Sequence, residues 1–374
     1  MNNSLKWIEI SEKNLIHNIA EARKYIGDKV ELSAVIKANA YGHGAGVIAD
    51  RLESSSDVNS FSVVNIEEAE ELRSVGIRKP IVVLGYFTSH ECPLIVELDV
   101  IPFVYSMPLL DYLNRAAKFA GKIVRVIVKV ETGMGRLGEK GEALISLLEY
   151  ITNCTNIEIA GFATHFAQSD SESAEKTTGQ ISLFQSFLAD NQNMLTDPQM
   201  SCTANTGGIF LYPDSHFDMV RFGIGLYGFY PSEFVKISCR NALLPILEYK
   251  TRIVHIQNIK RGESVSYGST WKADKDTVIA VLPVGYADGY RRAFSNRASV
   301  LIDGKRAPVR GRVCMDLTMV DVSEIENIHL DKEVALVSSE MNSGCSVEDL
   351  AEIADTINYE ITTMLPAHIP RVLV

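Results

Sequence analysis

Two patterns of hydrophobic and polar residues divide the chain. Up to about residue 230, short apolar runs alternate with stretches of helical period, such as IEEAEELRSVG, which ends in a helix-terminating glycine, Gly76. The apolar runs are ELSAVI (31–36), FSVV (61–64), PIVVLG (80–85), VIPFVY (100–105), KIVRVIVKV (122–130), IEIAGFATH (157–165), MSCTAN (200–205) and DMVRFG (218–223). These alternations predict an α/β fold, a (β/α)8 barrel of the TIM type. A doubly wound sheet is the competing interpretation, which the number of strands disfavours.

The helical period largely disappears from about residue 240, where β-type runs alternate with turn signals such as KRGE, KADKD and IDGK. The predicted β-rich segments are EYKTRIVHIQNI (248–259), VSYGSTW (265–271), TVIAVLPVGY (277–286), ASVLIDGKRAPVRGRV (298–313) and LTMVDV (317–322), with one helix over SVEDLAEIADTINYEITTML (346–365). We therefore predict two domains, a barrel at 1–235 and a mainly β C-terminal domain at 236–374. The first strand, LKWIEI (5–10), fits either domain.

Composition narrows the class of protein. The 374 residues are 46% hydrophobic and 22% charged, as in an ordinary globular protein, and the formal net charge of -11 argues against nucleic acid or an anionic membrane as a partner. The start has no apolar signal-type segment, and no run is long enough to span a bilayer. The cysteines are scattered without a CxxC pair, so we predict a cytoplasmic protein with reduced thiols and no metal site.

Polar and charged residues collect where the predicted barrel strands end. They are Lys37, Arg136, His165, Asn205, Thr206 and Arg221, and Gly223 lies beside the last of them. The carboxyl ends of barrel strands form the active face, so this concentration predicts catalysis.

Lys37 ends an apolar strand and is followed by Tyr41 and a glycine-containing loop. A lysine at a strand end commonly extends its side chain to water, whereas a desolvated lysine forms a Schiff base with a carbonyl. The segments NTGG (205–208) and RFGIG (221–225) are suited to binding phosphate through backbone N–H groups, although glycine-rich turns also occur without a ligand. Together these features suggest pyridoxal phosphate (PLP), and a phosphosugar aldolase fits nearly as well.

Seven motifs resemble the bacterial alanine racemases in order and spacing. They are AVIKANAYGHG, VETGMGRLG, THFA, VRFGIGLYG, SYGSTW, GYADGY and GRVCMDLTMVDV, and the resemblance runs from about residue 5 to the C-terminus. It implies a PLP-dependent enzyme with a barrel and a C-terminal β domain. The implied reaction interconverts L- and D-alanine through a PLP aldimine and two-base proton transfer, supplying D-alanine for peptidoglycan.

The resemblance also implies roles for individual residues. Lys37 binds PLP covalently and acts as one catalytic base, while Arg221 faces the pyridine nitrogen with His165 beside it. Arg136 contacts the PLP phenolic oxygen and the substrate carboxylate, and Lys129 matches a lysine that can be carbamylated to orient this arginine. The residues that match phosphate-binding positions are Tyr41, Thr206, Gly223, Ile224 and Tyr359, and Asn205 adjoins them.

A second base is implied on the opposite face of the substrate. Tyr267 matches it and comes from the partner subunit of a homodimer, as do Met315 and Asp316, with the backbone N–H of Met315 binding the substrate carboxylate. Tyr286 matches a residue at the substrate entrance. Each active site is therefore expected to be shared between two chains. Cys314 is expected to pack beside the site, because this chemistry needs no thiol.

Several departures and rival functions remain open. Glu131, Thr206 and Leu317 replace residues that are common in the family, and the ending MLPAHIPRVLV lacks a frequent Ser-Tyr-Arg. These changes affect the expected entrance and substrate range. The rival interpretations are a racemase of serine or larger amino acids, a barrel-type PLP decarboxylase and a non-enzymatic PLP-binding protein with a single barrel. An arginine at the ring nitrogen opposes its protonation, which disfavours the decarboxylase.

Overall fold

A computed structural model describes residues 4–239, 242–340 and 342–374. The chain forms two compact units. The barrel unit comprises Ile16–Ala40 and Ile48–Leu243, and the β unit comprises Met1–Leu15, Tyr41–Val47 and Leu244–Val374. Strands are numbered in chain order, beginning with β1 (Lys6–Ile10) in the β unit. The predicted domain boundary after residue 235 stays a prediction.

Seven parallel strands form the sheet of the barrel unit, and each coincides with one of the predicted apolar runs, although β3 begins one residue before its run. They are β2 (Glu31–Val35), β3 (Ser60–Val63), β4 (Ile81–Val83), β5 (Ile101–Val104), β6 (Val124–Lys129), β7 (Ile157–Ala163) and β8 (Met219–Phe222). The order across the sheet is β7-β6-β5-β4-β3-β2-β8. Apart from β8, neighbours in the chain are neighbours in the sheet, as a barrel requires and a doubly wound sheet does not.

The sheet closes on itself through the segment around Cys202, which makes parallel bridges to Ala163 of β7 and to Met219 of β8. The predicted strand at 200–205 is thus reduced to a short extended segment. Its backbone still bonds on both sides, since the Cys202 N–H donates to Phe162 O (2.9 Å) and the Met219 N–H donates to Ser201 O (3.2 Å). The (β/α)8 prediction is confirmed.

Helices occupy the connections between these strands. From the N-terminus to residue 239 they are Glu12–Ile26, Ala45–Glu53, Ile66–Ser74, Cys92–Leu98, Met107–Ala120, Gly141–Thr152, Glu175–Asn191, Thr206–Leu211 and Glu233–Ser238. Gly76 follows Ile66–Ser74 with φ of +92°, so the predicted glycine stop is confirmed. Apolar side chains fill the space inside the strands, among them Phe103, Ile127 and Met219.

The β unit contains a six-stranded, a three-stranded and a two-stranded sheet. Besides β1, the strands are β9 (Leu247–Arg252), β10 (His255–Ile259), β11 (Ser264–Val265), β12 (Trp271–Lys272), β13 (Thr277–Leu282), β14 (Ser299–Ile302), β15 (Lys305–Pro308), β16 (Thr318–Asp321), β17 (Glu333–Val337) and β18 (Arg371–Leu373). The first strand, left open by the sequence, pairs antiparallel with β9 and parallel with β18.

Two predictions within the β unit are wrong in detail. The single helix expected at 346–365 is two helices, Val347–Ala354 and Asn358–Thr363, because Asp355 adopts the left-handed conformation (φ 54°) that ends the first. The expected strand VSYGSTW is only the pair β11 and β12, which flank a turn at Tyr267–Ser269. Within the described residues, no helix is long and apolar enough to cross a membrane.

Candidate active site

The predicted polar residues of the barrel unit meet at the carboxyl ends of its strands. Lys37 follows β2, Lys129 ends β6, His165 follows β7 and Arg221 lies in β8. Together with Arg136, from the loop after β6, they line one cavity of about 340 Å³, which also exposes apolar groups such as Phe103. This volume is within the range of about 300–1,000 Å³ typical of small-molecule sites. Among the described residues that line the cavity, none is an aspartate or glutamate.

Lys37 opens a single turn of left-handed helix, Lys37–Tyr41. Ala38, Asn39 and Ala40 have φ of 51–54° and ψ of 48–50°, and Tyr41 has φ of 53°. For non-glycine residues this conformation costs about 1–2 kcal/mol each, so the surrounding contacts must hold it in place. The Ala40 N–H donates to Ile36 O (2.8 Å), and the Ala38 N–H donates to the Glu68 carboxylate (2.6 Å).

Glu68 is a residue that the sequence analysis missed. Its carboxylate accepts hydrogen bonds from the backbone N–H groups of Ala38 (2.6 Å) and Val64 (2.8 Å), joining the segment after β2 to the one after β3. Glu68 also lies near enough to raise the pKa of Lys37. The only sequence signal is a glutamate in the first turn of the helix Ile66–Ser74, where acidic residues are common for dipole reasons alone.

The Lys37 amine is biased toward its neutral form. Burial lowers the pKa of Lys37 most, and the positive charges of Arg136 and Arg221 lower it further against the opposing effect of Glu68. A neutral amine is the nucleophilic and basic form of lysine. The alternative that Lys37 is an ordinary lysine extending its side chain to water is therefore disfavoured.

Arg221 is almost fully buried, with 4% of its surface exposed, and is held by groups around the barrel mouth. Its guanidinium donates to Thr203 O (2.9 Å), Thr164 O (3.0 Å) and Cys202 Sγ (2.8 Å). It also lies 3.2 Å from His165 Nδ1. Within the described chain none of its hydrogen bonds goes to a carboxylate, so a purely structural ion pair does not explain this buried arginine.

His165 is a neutral imidazole in this environment. Burial lowers its pKa most, and Arg221 and Lys129 add to the effect, so the pKa of His165 lies well below its ordinary value. Since an arginine can only donate, Nδ1 is the acceptor and the proton resides on Nε2. The backbone carbonyl of His165 accepts from Gln180 Nε2 (3.0 Å), and Gln180 is a second positioning residue that carries no recognisable sequence signal.

Lys129 is buried at the end of β6, with its Nζ 5.4 Å from the centre of the Phe103 ring. Burial, followed by the charge of Arg221, holds the pKa of Lys129 well below its ordinary value, and Arg136 acts in the same direction. This environment disfavours the protonated form of the amine.

The two glycine-rich segments of the barrel unit meet. Thr206 begins the helix Thr206–Leu211, and its Oγ1 accepts from the Gly225 N–H (3.2 Å) in the turn Ile224–Tyr227. A Cβ on Gly225 would lie 2.4 Å from the Phe222 ring, so only glycine permits this approach. The Asn205 side-chain oxygen caps the helix by accepting from the Gly208 N–H (3.0 Å), a structural role beside its predicted one.

A second group of predicted residues lies in the β unit. Tyr267, Met315 and Asp316 line one surface cavity of about 620 Å³, with Cys314 and Leu317. Tyr267 is 72% exposed and Met315 is 54% exposed, unlike the buried Lys129 and Arg221 of the barrel site. The positions on either side of Tyr267, Ser266 and Gly268, both have positive φ (70° and 71°), so this turn presents the tyrosine ring outward.

Two further pairings in the β unit involve predicted residues. The Tyr286 N–H donates to Cys314 O (3.0 Å) and the Ala287 N–H donates to Met315 O (3.0 Å), which joins Tyr286, the predicted entrance residue, to the Met315 segment. The rings of Tyr41 and Tyr359 lie with their centres 5.9 Å apart. Residues separated widely in sequence are thus brought together, and their roles stay predictions.

Comparison with known proteins decides the family. A family model described as "Alanine racemase, N-terminal domain" matches residues 10–231, and one described as "Alanine racemase, C-terminal domain" matches residues 246–373. The chain belongs to the alanine racemase family. It is an enzyme of the racemase class, and the match of both halves disfavours a binding protein built from one barrel.

Individual members of the alanine racemase family agree over the whole chain. An alanine racemase of Methanococcus maripaludis is 38% identical over 367 residues, which cover 98% of this chain and 98% of the relative. The solved structure of an alanine racemase from Clostridium difficile 630 matches with a TM-score of 0.93 at 33% identity, covering 100% of this chain and 97% of that one. A histidine racemase from Leuconostoc mesenteroides also matches, with a TM-score of 0.91 at 27% identity, covering 100% and 99%.

Proposed function

We propose that this chain is a PLP-dependent racemase that interconverts L- and D-alanine. The observation that carries the proposal is the cavity at the barrel mouth, where two arginines, two lysines of lowered pKa and the neutral His165 converge without a carboxylate in the described lining. Such a lining favours an anionic ligand, and the low-pKa amine of Lys37 suits covalent attachment to an aldehyde. PLP carries both groups, so the residues fit this cofactor.

The cofactor-binding roles follow the family resemblance. When bound, PLP withdraws electrons from the α-carbon of an amino acid and so makes its α-hydrogen acidic. Lys37 Nζ anchors the cofactor, Arg221 faces the pyridine nitrogen, and Arg136 contacts the phenolic oxygen. The phosphate is bound by Tyr41, Asn205, Thr206, Gly223, Ile224 and Tyr359. The contact between Thr206 and Gly225 supports this assignment, since it brings a hydroxyl and backbone turns together.

Arg221 limits the reaction to proton transfer. A guanidinium stays protonated and contains no acceptor atom, so Arg221 would donate a hydrogen bond to the ring nitrogen. Its positive charge would oppose protonation of that nitrogen. Its fixed hydrogen bonds to Thr164 and Thr203 prevent it from moving away. The decarboxylase alternative is disfavoured by this environment.

Two bases act on opposite faces of the substrate. Lys37 Nζ takes or returns the α-proton on one face, where its lowered pKa keeps a neutral amine available. The hydroxyl of Tyr267 acts on the other face, on L-alanine. His165, with its proton on Nε2, is the proposed donor to the Tyr267 oxygen, and Arg221 polarises His165 through Nδ1.

We assign the substrate carboxylate to the backbone N–H of Met315, with Arg136 opposite and Asp316 beside it, and the entrance to Tyr286. Tyr267 and Met315 are exposed in a single chain, which suits residues that complete the site of a partner subunit. The functional unit in this proposal is therefore a homodimer with two shared sites. It is cytoplasmic, and its product, D-alanine, serves peptidoglycan synthesis.

Lys129 is proposed to carry a carbamate. Its lowered pKa leaves a neutral amine, which adds CO2 to form the carbamate anion and releases one proton. The nearby charges of Arg221 and Arg136 favour that anion. A ¹³C NMR carbamate signal in ¹³C-bicarbonate that disappears in Lys129→Ala but persists in Lys37→Ala supports the assignment, and a signal unchanged in Lys129→Ala rules it out.

Racemisation is tested with purified enzyme, PLP and each enantiomer of alanine, followed by chiral chromatography. We expect equal amounts of both enantiomers from either starting isomer. Borohydride reduction should fix PLP to Lys37, and Lys37→Ala should lose both the fixed cofactor and nearly all activity. Full activity in Lys37→Ala without an added amine contradicts the proposal.

The same assay separates the alternative substrates. A histidine racemase shares this fold, so the fold alone does not set the substrate. Family members at 35–38% identity over the whole chain are described as alanine racemases, which favours alanine. Turnover of serine or histidine faster than alanine identifies the broader racemase instead.

A further inference from the structure

Arg371 joins two distant segments of the β unit. From strand β18 its guanidinium donates to Gly42 O through both Nε (3.2 Å) and Nη2 (2.8 Å). The remaining donors reach the C-terminal segment, at Pro366 O (2.6 Å), Ile369 O (2.6 Å) and Leu365 O (3.1 Å). One side chain therefore holds the loop that follows the left-handed turn against the segment that follows the helix Asn358–Thr363.

Close packing reinforces this connection. Gly42 has φ of +85°, and a Cβ there would lie 1.9 Å from Thr362 O in the helix Asn358–Thr363. Gly44 has φ of +99°, and a Cβ there would lie 3.2 Å from Arg371 Cγ. The glycines of YGHG thus let two backbones and the arginine stem approach to contact distance, which explains why the loop contains them.

Both segments carry a residue assigned to the cofactor phosphate. Tyr41 directly precedes Gly42, and Tyr359 lies one turn before Thr362. The buried His43 adds a further link, with Nδ1 3.1 Å from Tyr41 O. The 5.9 Å separation of the Tyr41 and Tyr359 rings is accordingly fixed by backbone contacts that Arg371 completes.

We propose that Arg371 is a positioning residue for phosphate binding, which pre-sets Tyr41 and Tyr359 in the geometry that receives PLP. It rests on the proposed PLP-dependent function. The role is indirect, because the donors of Arg371 go to carbonyl groups of its own chain. Pre-organisation of two binding groups improves affinity by removing the ordering cost from the binding step.

The test compares Arg371→Met with Arg73→Met. Arg73 is a matched control in the barrel unit, since its guanidinium also donates to four backbone carbonyls, those of Ile77, Lys79, Leu98 and Asp99. We expect Arg371→Met to weaken PLP binding about tenfold or more in a fluorescence titration of apoenzyme, and Arg73→Met to stay within about twofold of wild type. Both should lower the melting temperature.

Three further measurements distinguish positioning from general destabilisation. Turnover at saturating PLP should fall much less than PLP affinity in Arg371→Met. Arg371→Lys keeps the charge but loses the planar fork, so its affinity should lie between those of wild type and Arg371→Met, and it serves as the test if the methionine variant does not fold. Amide hydrogen exchange at 41–46 should be faster in Arg371→Met than in Arg73→Met.

The proposal is overturned if Arg371→Lys and Arg371→Met bind PLP as wild type does. It is equally overturned if Arg73→Met loses as much affinity. If no protein, wild type included, binds PLP, the proposed function fails instead. Hydrogen exchange at 41–46 then still decides whether Arg371 fixes the loop.

Discussion

At the scale of single residues, the barrel site brings several basic side chains together at one cavity, and two of them are buried. Arg221 and Lys129 are both buried, and each lowers the pKa of His165. Without an anionic ligand these groups oppose folding, because burial and mutual repulsion both disfavour the charged forms. Ligand affinity and stability of the empty protein are therefore in conflict at this site.

Lys129 offers a direct test of that conflict. The pKa of Lys129 in the folded protein lies below its ordinary value, so the unfolded chain binds the proton more readily than the folded chain does. The stability of the folded state therefore rises with pH until the pH reaches the ordinary lysine pKa of about 10.4. We expect Lys129→Met to stabilise the apoenzyme at pH 7 in carbon-dioxide-free buffer, and the gain to shrink at pH 9.5. Urea denaturation at both pH values measures it.

Lys118→Met is the control for Lys129→Met, since Lys118 is exposed on the helix Met107–Ala120. Its effect on the free energy of unfolding should change little between the two pH values. If Lys129→Met raises the free energy of unfolding equally at pH 7 and pH 9.5, burial does not disfavour the protonated form of Lys129.

Tyr267 tests the division of labour between the two faces. Tyr267→Phe keeps the exposed ring but removes the hydroxyl, so α-hydrogen exchange from L-alanine should slow by about 10²–10⁴-fold, the usual contribution of a general base. Exchange from D-alanine, which relies on Lys37, should be much less affected. Proton NMR in deuterated water follows each enantiomer separately, with Tyr112→Phe as an exposed-tyrosine control. Equal losses for both enantiomers count against two separate bases.

At the scale of elements, the hydrophobic pattern was sufficient to predict the strands of the barrel but not the turns of the β unit. Each β-strand of the barrel coincides with a predicted run to within one residue, because burial on both faces gives continuous apolar sequence. The helix at 346–365 was over-extended since Asp355, unlike glycine, gives no clear stop signal. The turn at Tyr267 was missed because its flanking residues, Val265 and Trp271, are typical of strands.

The contact between the two glycine-rich turns leads to a prediction at this scale. Gly225→Ala would place a Cβ 2.4 Å from Phe222 and 2.8 Å from Thr206 Cγ2, so Thr206 must move. We expect a loss of about 1–3 kcal/mol in the free energy of unfolding, together with weaker PLP binding. Thermal denaturation and PLP titration measure the two effects.

Gly179→Ala is the matched control for Gly225→Ala. Gly179 lies inside the helix Glu175–Asn191, and nothing is within 4 Å of a Cβ placed there. Alanine should stabilise this helix by about 0.5–1 kcal/mol without changing PLP affinity. Unchanged PLP affinity in Gly225→Ala means that the two turns do not form the phosphate site.

At the scale of the whole molecule, the proposed site residues are divided between the barrel unit and the β unit. Motifs such as VIKANAYGHG indicated individual site residues, but no motif indicated the roles of Glu68 and Arg371. Arg371 bonds to Gly42 across 329 positions, and Glu68 bonds to Ala38 across 30. Both interactions use backbone atoms of the partner residue, so no side-chain pattern records them.

Division of the site between chains predicts complementation. Lys37→Ala and Tyr267→Ala should each be inactive alone, whereas a mixed dimer contains one site with Lys37 and Tyr267 both intact. Random pairing of equal amounts makes about half the dimers mixed, so co-expression should restore roughly a quarter of wild-type activity. Chiral analysis of purified, doubly tagged dimers measures it. Verified mixed dimers that remain inactive place Tyr267 within its own chain's site or outside catalysis.

The left-handed turn after Lys37 has a consequence for the chirality of the chain itself. Ala38 and Ala40 hold φ and ψ near +50°, which an L-residue adopts at a penalty of about 1–2 kcal/mol and its mirror image adopts freely. A chain assembled by chemical ligation with D-alanine at these two positions should therefore unfold at a higher temperature than the natural one. The backbone beside the reactive lysine favours the enantiomer that the enzyme is proposed to make.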